Sequence, residues 1–138
     1  MKEYIVKSQV ETEKIAKQLA KTLKGNELLA LSGNLGAGKT FFIKALGKAL
    51  GVKENISSPT FVLMKVYDLK DSRKFVHVDC YRLNGQEDLF EIGLEDYLVH
   101  NNIIIAVEWA DKIRNLPERA IKINLELLED NKRKISIA

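Results

Sequence analysis

The sequence predicts a three-layer α/β sandwich, in which a mixed β-sheet has parallel strands at its centre and antiparallel hairpins beside them. Three observations indicate this fold class. An uninterrupted apolar segment leads through a glycine-rich turn into a helical pattern, as in the units that build parallel sheets. A second uninterrupted apolar segment ends in a carboxylate. Two pairs of segments are separated by polar turns, which is typical of antiparallel hairpins.

The chain should begin with a short strand and a capped helix. The segment EYIVK is predicted to be the strand. Ser8 and Glu11 then have the spacing of a capping box, in which each side chain accepts a hydrogen bond from the other residue's free backbone N–H. The helix should end just before Gly25, because glycine readily closes a helix. Its buried face is predicted from three apolar residues at helical spacing: Ile15, Leu19 and Leu23.

The remaining elements follow from apolar runs and turn residues. The segment LLALS at residues 28–32 is apolar enough to be a strand covered on both faces, and KTFFIKALGKAL predicts a helix that ends at Gly51. FVLMKVYDL and KFVHVD predict one hairpin, and AIKINLEL and RKISIA predict a second. Short helical segments are expected within residues 86–99, before the strand IIIAVE.

Length and composition are those of one globular domain spanning residues 1–138. Hydrophobic residues make up 46% and charged residues 30% of the chain, which excludes a disordered protein. The longest apolar run, Ile103 to Val107, is too short to cross a membrane, and the N-terminus lacks the apolar core of a signal peptide. The single cysteine, Cys80, cannot form an internal disulfide, so we expect a reducing, cytoplasmic location.

The charges of the chain nearly balance. Twenty-two Lys and Arg residues against nineteen Asp and Glu residues give a formal net charge of +3. The basic residues are spread along the chain, whereas nucleic-acid binders usually concentrate them on one surface. The sequence therefore predicts no DNA-binding surface and no tight binding of RNA by this chain alone.

The residues between the apolar strand and the second helix meet the pattern G-x-x-x-x-G-K-S/T of phosphate-binding loops, or P-loops. Eight consecutive residues fit it: Gly33, Asn34, Leu35, Gly36, Ala37, Gly38, Lys39 and Thr40. Glycines let backbone N–H groups approach phosphate oxygens, and the following helix adds its positive N-terminal end. Lys39 would supply a charge to the β- and γ-phosphates, and Thr40 a hydroxyl ligand to Mg²⁺. The motif predicts nucleotide binding and a fold like that of the P-loop NTPases.

A carboxylate should complete the metal site, because P-loop proteins hold Mg²⁺ with an acidic group at the end of a neighbouring strand. The segment IIIAVE delivers Glu108 there, and FVHVD delivers Asp79. Taken alone, either residue is also compatible with a surface carboxylate beyond a strand end. Ligands of such sheets gather at the carboxyl ends of the strands, so we expect both residues at the phosphate site.

Five segments of the chain resemble the TsaE family in order and spacing: GNLGAGKTFF, SSPTFVLMKVY, HVDCYRL, EDLFEIGLEDYL and VEWADKI. The resemblance covers nearly the whole chain. It implies an ATPase that uses ATP and Mg²⁺ and is required for the threonylcarbamoyladenosine modification of tRNA, beside the anticodon. It also implies that the chain binds the TsaD–TsaB pair and that its ATP hydrolysis resets that complex between turnovers. Family members do not carry out the transfer themselves, and tRNA would be reached only through the complex.

The resemblance assigns roles to the acidic residues. By this likeness Thr40 and Glu108 are Mg²⁺ ligands, and Asp79 is the carboxylate needed for hydrolysis. Asp79 would either orient the attacking water or hold a metal-bound one, and the sequence does not separate these roles. His77 shares a strand face with Asp79 by alternation, but a single histidine on a strand is usually structural.

Further residues are assigned by the same resemblance. Ser58 and Thr60 match a switch-like loop in which Thr60 would sense the γ-phosphate. Trp109 is either a core residue or a nucleotide-side residue, since it adjoins Glu108. The adenine is expected between Thr12 and the last hairpin near Lys132.

Three residues depart from the family pattern: Asn34 for an Asp, Phe41 for a second Thr, and Cys80 for an apolar residue. None of these changes removes a group that the chemistry needs.

Three other classes of protein share a P-loop. A small-molecule kinase would need an acceptor site and a lid with arginines, for which the chain has no long inserted segment. A nucleotide-loaded binding module with negligible turnover would need neither. A GTPase would carry N-K-x-D, which the segment NKRK at residues 131–134 lacks, so ATP is favoured.

Overall fold

The computed structural model describes residues 1–34, 36–57, 64–85 and 91–138. Within them lie seven strands: β1 (Lys2–Val6), β2 (Leu28–Gly33), β3 (Met64–Asp68), β4 (Lys74–Asp79), β5 (Ile103–Glu108), β6 (Ile121–Leu127) and β7 (Arg133–Ile137). The same ranges contain three α-helices: α1 (Gln9–Thr22), α2 (Lys39–Leu50) and α3 (Glu95–Leu98). Two 3₁₀ turns span Ala110–Lys112 and Glu129–Asn131. None of the helices in these ranges is both long and apolar enough to span a membrane.

The strands of the described residues form one mixed sheet in the order β1-β7-β6-β2-β5-β4-β3. Its centre is parallel, because β2 pairs in parallel with β5 and β6, and β4 pairs in parallel with β5. The hairpins β3–β4 and β6–β7 are antiparallel, and β1 adds to β7 in the same way. The predicted fold class is confirmed. Two predicted segments lie partly outside the described residues: 61–63 of the first hairpin and 86–90 of the helical region.

The two long helices lie on the same face of the sheet. α1 and α2 pack against each other and bury apolar side chains against the strands: Ile15, Ala16, Ala20, Phe42, Ile43 and Leu46. The opposite face is covered by α3 and by turns between residues 91 and 120, through Ile92, Leu94, Ala110, Ile113 and Ala120. The three layers are therefore uneven, with one layer of long helices and one of short turns. Strands β2 and β5 contribute to both cores, which explains their uninterrupted apolar sequences.

The predicted cap at the start of α1 is present in a modified form. The Ser8 side chain accepts a hydrogen bond from the backbone N–H of Glu11 at 3.3 Å. The Glu11 carboxylate accepts from the backbone N–H of Lys7 at 2.7 Å, one residue before the predicted donor. At the other end the prediction is wrong, because α1 ends at Thr22 and Leu23 already has extended backbone. Leu23 turns into the core there, which ends the helix before Gly25 is reached.

Helix α2 begins and ends as the sequence predicts. Gly38 precedes it with φ 102°, and Gly51 closes it with φ 113°. Between them, Gly47 allows a close approach to the neighbouring core: a Cβ at this position would lie 2.2 Å from Ile56 Cδ1 and 3.1 Å from Phe75 Cε2. A Cβ at this position would therefore force the end of the Ile56 side chain and the Phe75 ring to shift.

We expect Gly47→Val to lower the free energy of unfolding by about 1–3 kcal/mol, the usual cost of overpacking a core. Lys48→Val is the matched control, because Lys48 is exposed and the change introduces the same β-branched side chain into the same helix. Urea unfolding of both variants measures the difference. Equal losses in the two variants would show that the close approach at Gly47 carries no packing constraint.

Candidate functional site

The glycine-rich loop connects the end of central strand β2 to the start of α2. Gly33, the last residue of β2, has φ 141°, and a Cβ at this position would lie 2.2 Å from the Leu125 carbonyl oxygen on β6. A side chain is therefore excluded where the loop leaves the sheet. The backbone N–H of Ala37 donates to the Asn34 carbonyl at 3.1 Å, which closes the loop on itself. The loop thus crosses the carboxyl ends of the parallel strands, where ligands of open α/β sheets bind.

A cleft of about 480 Å³ opens beside this loop. It is lined by residues from the loop, from both long helices and from the ends of three strands: Gln9, Gly36, Gly38, Lys39, Thr40, Phe41, Asp79, Tyr81, Glu108, Trp109 and Arg133. Seven predicted site residues therefore share one cleft: Gly36, Gly38, Lys39, Thr40, Asp79, Glu108 and Trp109. The predicted residues Leu35, Ser58 and Thr60 lie outside the described residues.

Glu108 ends β5 with its carboxylate buried and hydrogen-bonded at both oxygens. Only 3% of the residue is exposed. Its Oε1 accepts from the Thr40 hydroxyl at 2.6 Å, and its Oε2 lies 2.6 Å from His77 Nε2. The imidazole is the donor in this second contact, because a carboxylate oxygen only accepts. The two predicted metal ligands, Thr40 and Glu108, are thus in direct contact.

His77 is the residue whose position the sequence did not reveal. We expected a structural histidine, and the structure places its ring, fully buried, against Glu108. The available signal was alternation, which puts His77 and Asp79 on the same face of β4. The missing information was the register between strands: Asp79 pairs with Glu108, and His77 pairs with Ala106.

Lys39, the first residue of α2, is only 5% exposed. Its ammonium donates to the carbonyl oxygens of Gly33 at 2.6 Å and Asn34 at 2.9 Å, and it lies 4.0 Å from the centre of the Trp109 ring. Burial lowers the pKa of Lys39, and the charges of nearby carboxylates, Glu108 first, oppose that shift. The loop lysine is therefore held by backbone dipoles and an aromatic face within reach of the cleft.

Trp109 follows Glu108 with a left-handed backbone, at φ 57° and ψ 44°. This conformation is strained for a bulky side chain and tends to occur at functional sites. The indole also contacts the ring of Tyr81, with centroids 5.2 Å apart. Trp109 packs against the core on the α3 face of the sheet and also lines the cleft, so its two predicted roles are not exclusive.

Asp79 is half-buried at the end of β4, where its Oδ1 accepts from the backbone N–H of Tyr81 at 3.0 Å. Burial raises the pKa of Asp79, and the charge of Glu108 adds to the rise. The Tyr81 N–H and the nearby His77 and Lys39 partly oppose it. The carboxylate therefore carries its charge in the folded protein at a cost in free energy.

This cost predicts a pH-dependent stability. The folded state binds the Asp79 proton more tightly than the unfolded state, so the free energy of unfolding should fall as pH rises from the ordinary pKa of 3.8 through the raised value. Asp79→Asn removes the charge and should make the free protein more stable than the native chain at pH 7. At pH 3 the advantage should disappear. Urea unfolding at both pH values tests this, and a difference that does not change with pH would contradict it.

The predicted adenine residues lie at different places. A smaller cavity of about 50 Å³ adjoins the cleft and is lined by Gln9, Thr12, Ala37, Gly38, Phe41, Leu125 and Arg133. Thr12 lies there, but its hydroxyl donates to the Ser8 carbonyl at 3.4 Å. Lys132 lines neither this cavity nor the cleft, whereas the next residue, Arg133, lines both. Arg133 Nε is buried and makes no hydrogen bond within the described part of the chain.

The site combines a loop between a parallel strand and a helix, a lysine and a threonine that open the helix, and a carboxylate at the end of the adjacent strand. This combination and the mixed sheet are those of the P-loop NTPase-like fold class. Comparison with known proteins makes the assignment narrower. The family described as "Threonylcarbamoyl adenosine biosynthesis protein TsaE" matches residues 6–135. The chain therefore belongs to the TsaE family, which takes part in the biosynthesis of threonylcarbamoyladenosine in tRNA.

Individual relatives agree with this assignment. The chain is 42% identical to the tRNA threonylcarbamoyladenosine biosynthesis protein TsaE of Rickettsia felis over 96% of its own length and 77% of the relative's. It is 40% identical to the protein of the same name from Aquifex aeolicus, over 99% of its own length and 96% of the relative's. The crystal structure of YdiB from Bacillus subtilis superimposes with a TM-score of 0.74 at 28% identity, covering 99% of this chain and 83% of YdiB.

Proposed function

We propose that this chain binds ATP with Mg²⁺ in the cleft, hydrolyses it, and uses the hydrolysis to act on the TsaD–TsaB complex during tRNA modification without performing the transfer itself. The observation that carries the proposal is the contact between Thr40 and Glu108 beside Lys39, in a cleft opened by the P-loop. The cytoplasmic location predicted from the sequence is part of this proposal, as is contact with tRNA only through the complex.

The phosphates would be held by the loop. Its backbone N–H groups and the N-terminal end of α2 favour negative charge. The Lys39 ammonium would exchange its bonds to the Gly33 and Asn34 carbonyls for phosphate oxygens, which are stronger acceptors because they are charged. Since Lys39 is already buried at the site, little further ordering of its side chain is needed.

The donor set also fits a magnesium ion. Mg²⁺ prefers hard oxygen ligands and is usually bound by one or two protein groups together with substrate phosphates. Thr40 Oγ1 and Glu108 Oε1 are 2.6 Å apart at the cleft and would hold the ion. Bound there, Mg²⁺ would neutralise charge on the phosphates.

Asp79 would activate or orient the water that attacks the γ-phosphate. Its carboxylate lines the same cleft and pairs in register with Glu108. Because Oδ1 accepts from the Tyr81 N–H, Oδ2 would be the oxygen that contacts a ligand. A raised pKa brings a carboxylate closer to the pKa that suits a general base near neutral pH. Orientation of the water by the same oxygen is the other role that this position supports.

A phosphate-release assay tests the proposal and separates it from its rivals. We expect slow release from ATP by the chain alone and faster release when TsaD–TsaB is added. A kinase would instead transfer phosphate to a small acceptor. A nucleotide-loaded binding module would release no phosphate under either condition, and that result would overturn the proposal.

The nucleotide should also control docking. If ATP acts by changing contacts with the partner, the ATP-bound form should bind TsaD–TsaB more tightly than the ADP-bound form by about 1–3 kcal/mol, or roughly 5- to 150-fold. Titration of TsaD–TsaB with a non-hydrolysable ATP analogue and with ADP measures this coupling. Equal affinities would show that ATP has no influence on docking, and they would favour the alternative that the chain is a small-molecule kinase.

A further inference from the structure

The contact between His77 and Glu108 gives the histidine a specific task. On β4, Phe75, His77 and Asp79 alternate onto the face that carries α1 and α2, and Phe75 belongs to that core. The register sets His77 beside Ala106, two residues before Glu108 on the parallel strand β5. Because Ala106 carries only a methyl group, the space toward Glu108 is left to the imidazole.

The two oxygens of Glu108 have different neighbours. Oε1 accepts from Thr40, which lines the cleft, and Oε2 accepts from His77, which is completely buried. His77 Nδ1 has no hydrogen-bond partner within the described residues, so the contact with Glu108 is the one polar contact of the ring that the structure shows there. The imidazole therefore donates to the carboxylate from the core and does not occupy the cleft.

We propose that His77 is a positioning residue that fixes the Glu108 carboxylate, so that Oε1 faces Thr40 and the cleft, where these two residues would hold a divalent cation. The inference rests on the proposed function, since it concerns the cation that function requires. Without the Nε2–H donor, Oε2 would be a buried carboxylate oxygen with no partner, and the carboxylate would turn away from this orientation to satisfy it. Groups that orient a metal ligand in this way are usually worth 10- to 100-fold in metal affinity.

Three variants of His77 separate positioning from packing. His77→Leu introduces an apolar side chain of similar size and removes the donor. His77→Gln keeps an N–H donor, because its amide nitrogen reaches about as far from the backbone as the imidazole Nε2. His77→Asn keeps an amide that is too short to reach, and it replaces His77→Leu if that variant does not fold. His100→Leu is the control, because this residue is the chain's other histidine and is exposed.

Electron paramagnetic resonance measures the affinity of Mn²⁺ for the complex of each variant with ADP. Calorimetry on the same samples measures ADP binding in EDTA, where no metal is bound. We expect His77→Leu and His77→Asn to bind Mn²⁺ about 10- to 100-fold more weakly, with metal-free ADP affinity unchanged. His77→Gln should recover most of the loss, and His100→Leu should match the native chain.

The possible results lead to different conclusions. Native Mn²⁺ affinity in the folded donor-free variants would overturn the positioning role. A parallel loss of metal-free ADP affinity and of unfolding free energy, without recovery in His77→Gln, would show that His77 only fills space. If the native chain with ADP holds Mn²⁺ no better than free ADP does, the metal site of the proposed function fails, and the role of His77 fails with it.

Discussion

Replacement of Lys39 by alanine is expected to weaken ATP binding by roughly ten- to hundredfold, because one charge-assisted hydrogen bond contributes about 1.5–3 kcal/mol. Lys39 is the buried cation at the loop, and its ammonium lies within hydrogen-bond distance of the Gly33 and Asn34 carbonyls. In the variant the phosphates would face only backbone dipoles and the end of α2. Calorimetry with a non-hydrolysable ATP analogue measures the loss without interference from turnover.

Lys44→Ala is the matched control for this experiment. Lys44 lies on the same helix, is exposed, and does not line the cleft, so its removal changes the net charge equally without touching the site. Urea unfolding of Lys39→Ala shows whether the loop keeps its structure once the two carbonyls lose their donor. Unchanged affinity in a folded Lys39→Ala variant would contradict the P-loop assignment.

Local patterns were sufficient to predict most of the elements and the core of the site. Residues 33–40 are contiguous, so a motif read along the chain already specifies the loop, its lysine and its threonine. Glu108 could be placed because it ends an apolar strand, and the carboxyl ends of neighbouring parallel strands meet at one edge of the sheet. The hairpins were predicted by the polar turns between alternating segments.

Features that depend on pairing between distant segments could not be predicted in this way. The position of β6 beside β2 and the contact of His77 with Glu108 both require the register between strands, which no local pattern contains. Arg133, the first residue of β7, lines the cleft, whereas Lys132, which ends the preceding 3₁₀ turn, does not. The left-handed backbone of Trp109 has no signal in the sequence.

The structure separates the two acidic residues of the site by what their oxygens contact. Glu108 is bonded at both oxygens, to Thr40 and to His77, and is almost completely buried. Asp79 is half-buried, accepts one backbone hydrogen bond, and has a raised pKa. Under the proposed function Glu108 would hold a cation in a fixed orientation, whereas Asp79 would offer its second oxygen to a ligand in the cleft. This difference predicts that binding and hydrolysis respond to different substitutions.

Asp79→Asn should leave ATP affinity within a few-fold of the native value and lower turnover by roughly a hundredfold or more, the scale of a lost general base or water-positioning group. The amide preserves the size of the side chain and can still accept from the Tyr81 N–H, but it cannot accept a proton. Single-turnover phosphate release in the presence of TsaD–TsaB measures the effect, and calorimetry on the same sample measures binding. Asp96→Asn, at an exposed position of α3, is the control and should match the native chain. Native turnover in Asp79→Asn would show that Asp79 takes no part in hydrolysis, and a loss of ATP binding of the same size as the loss of turnover would assign it to the binding site instead.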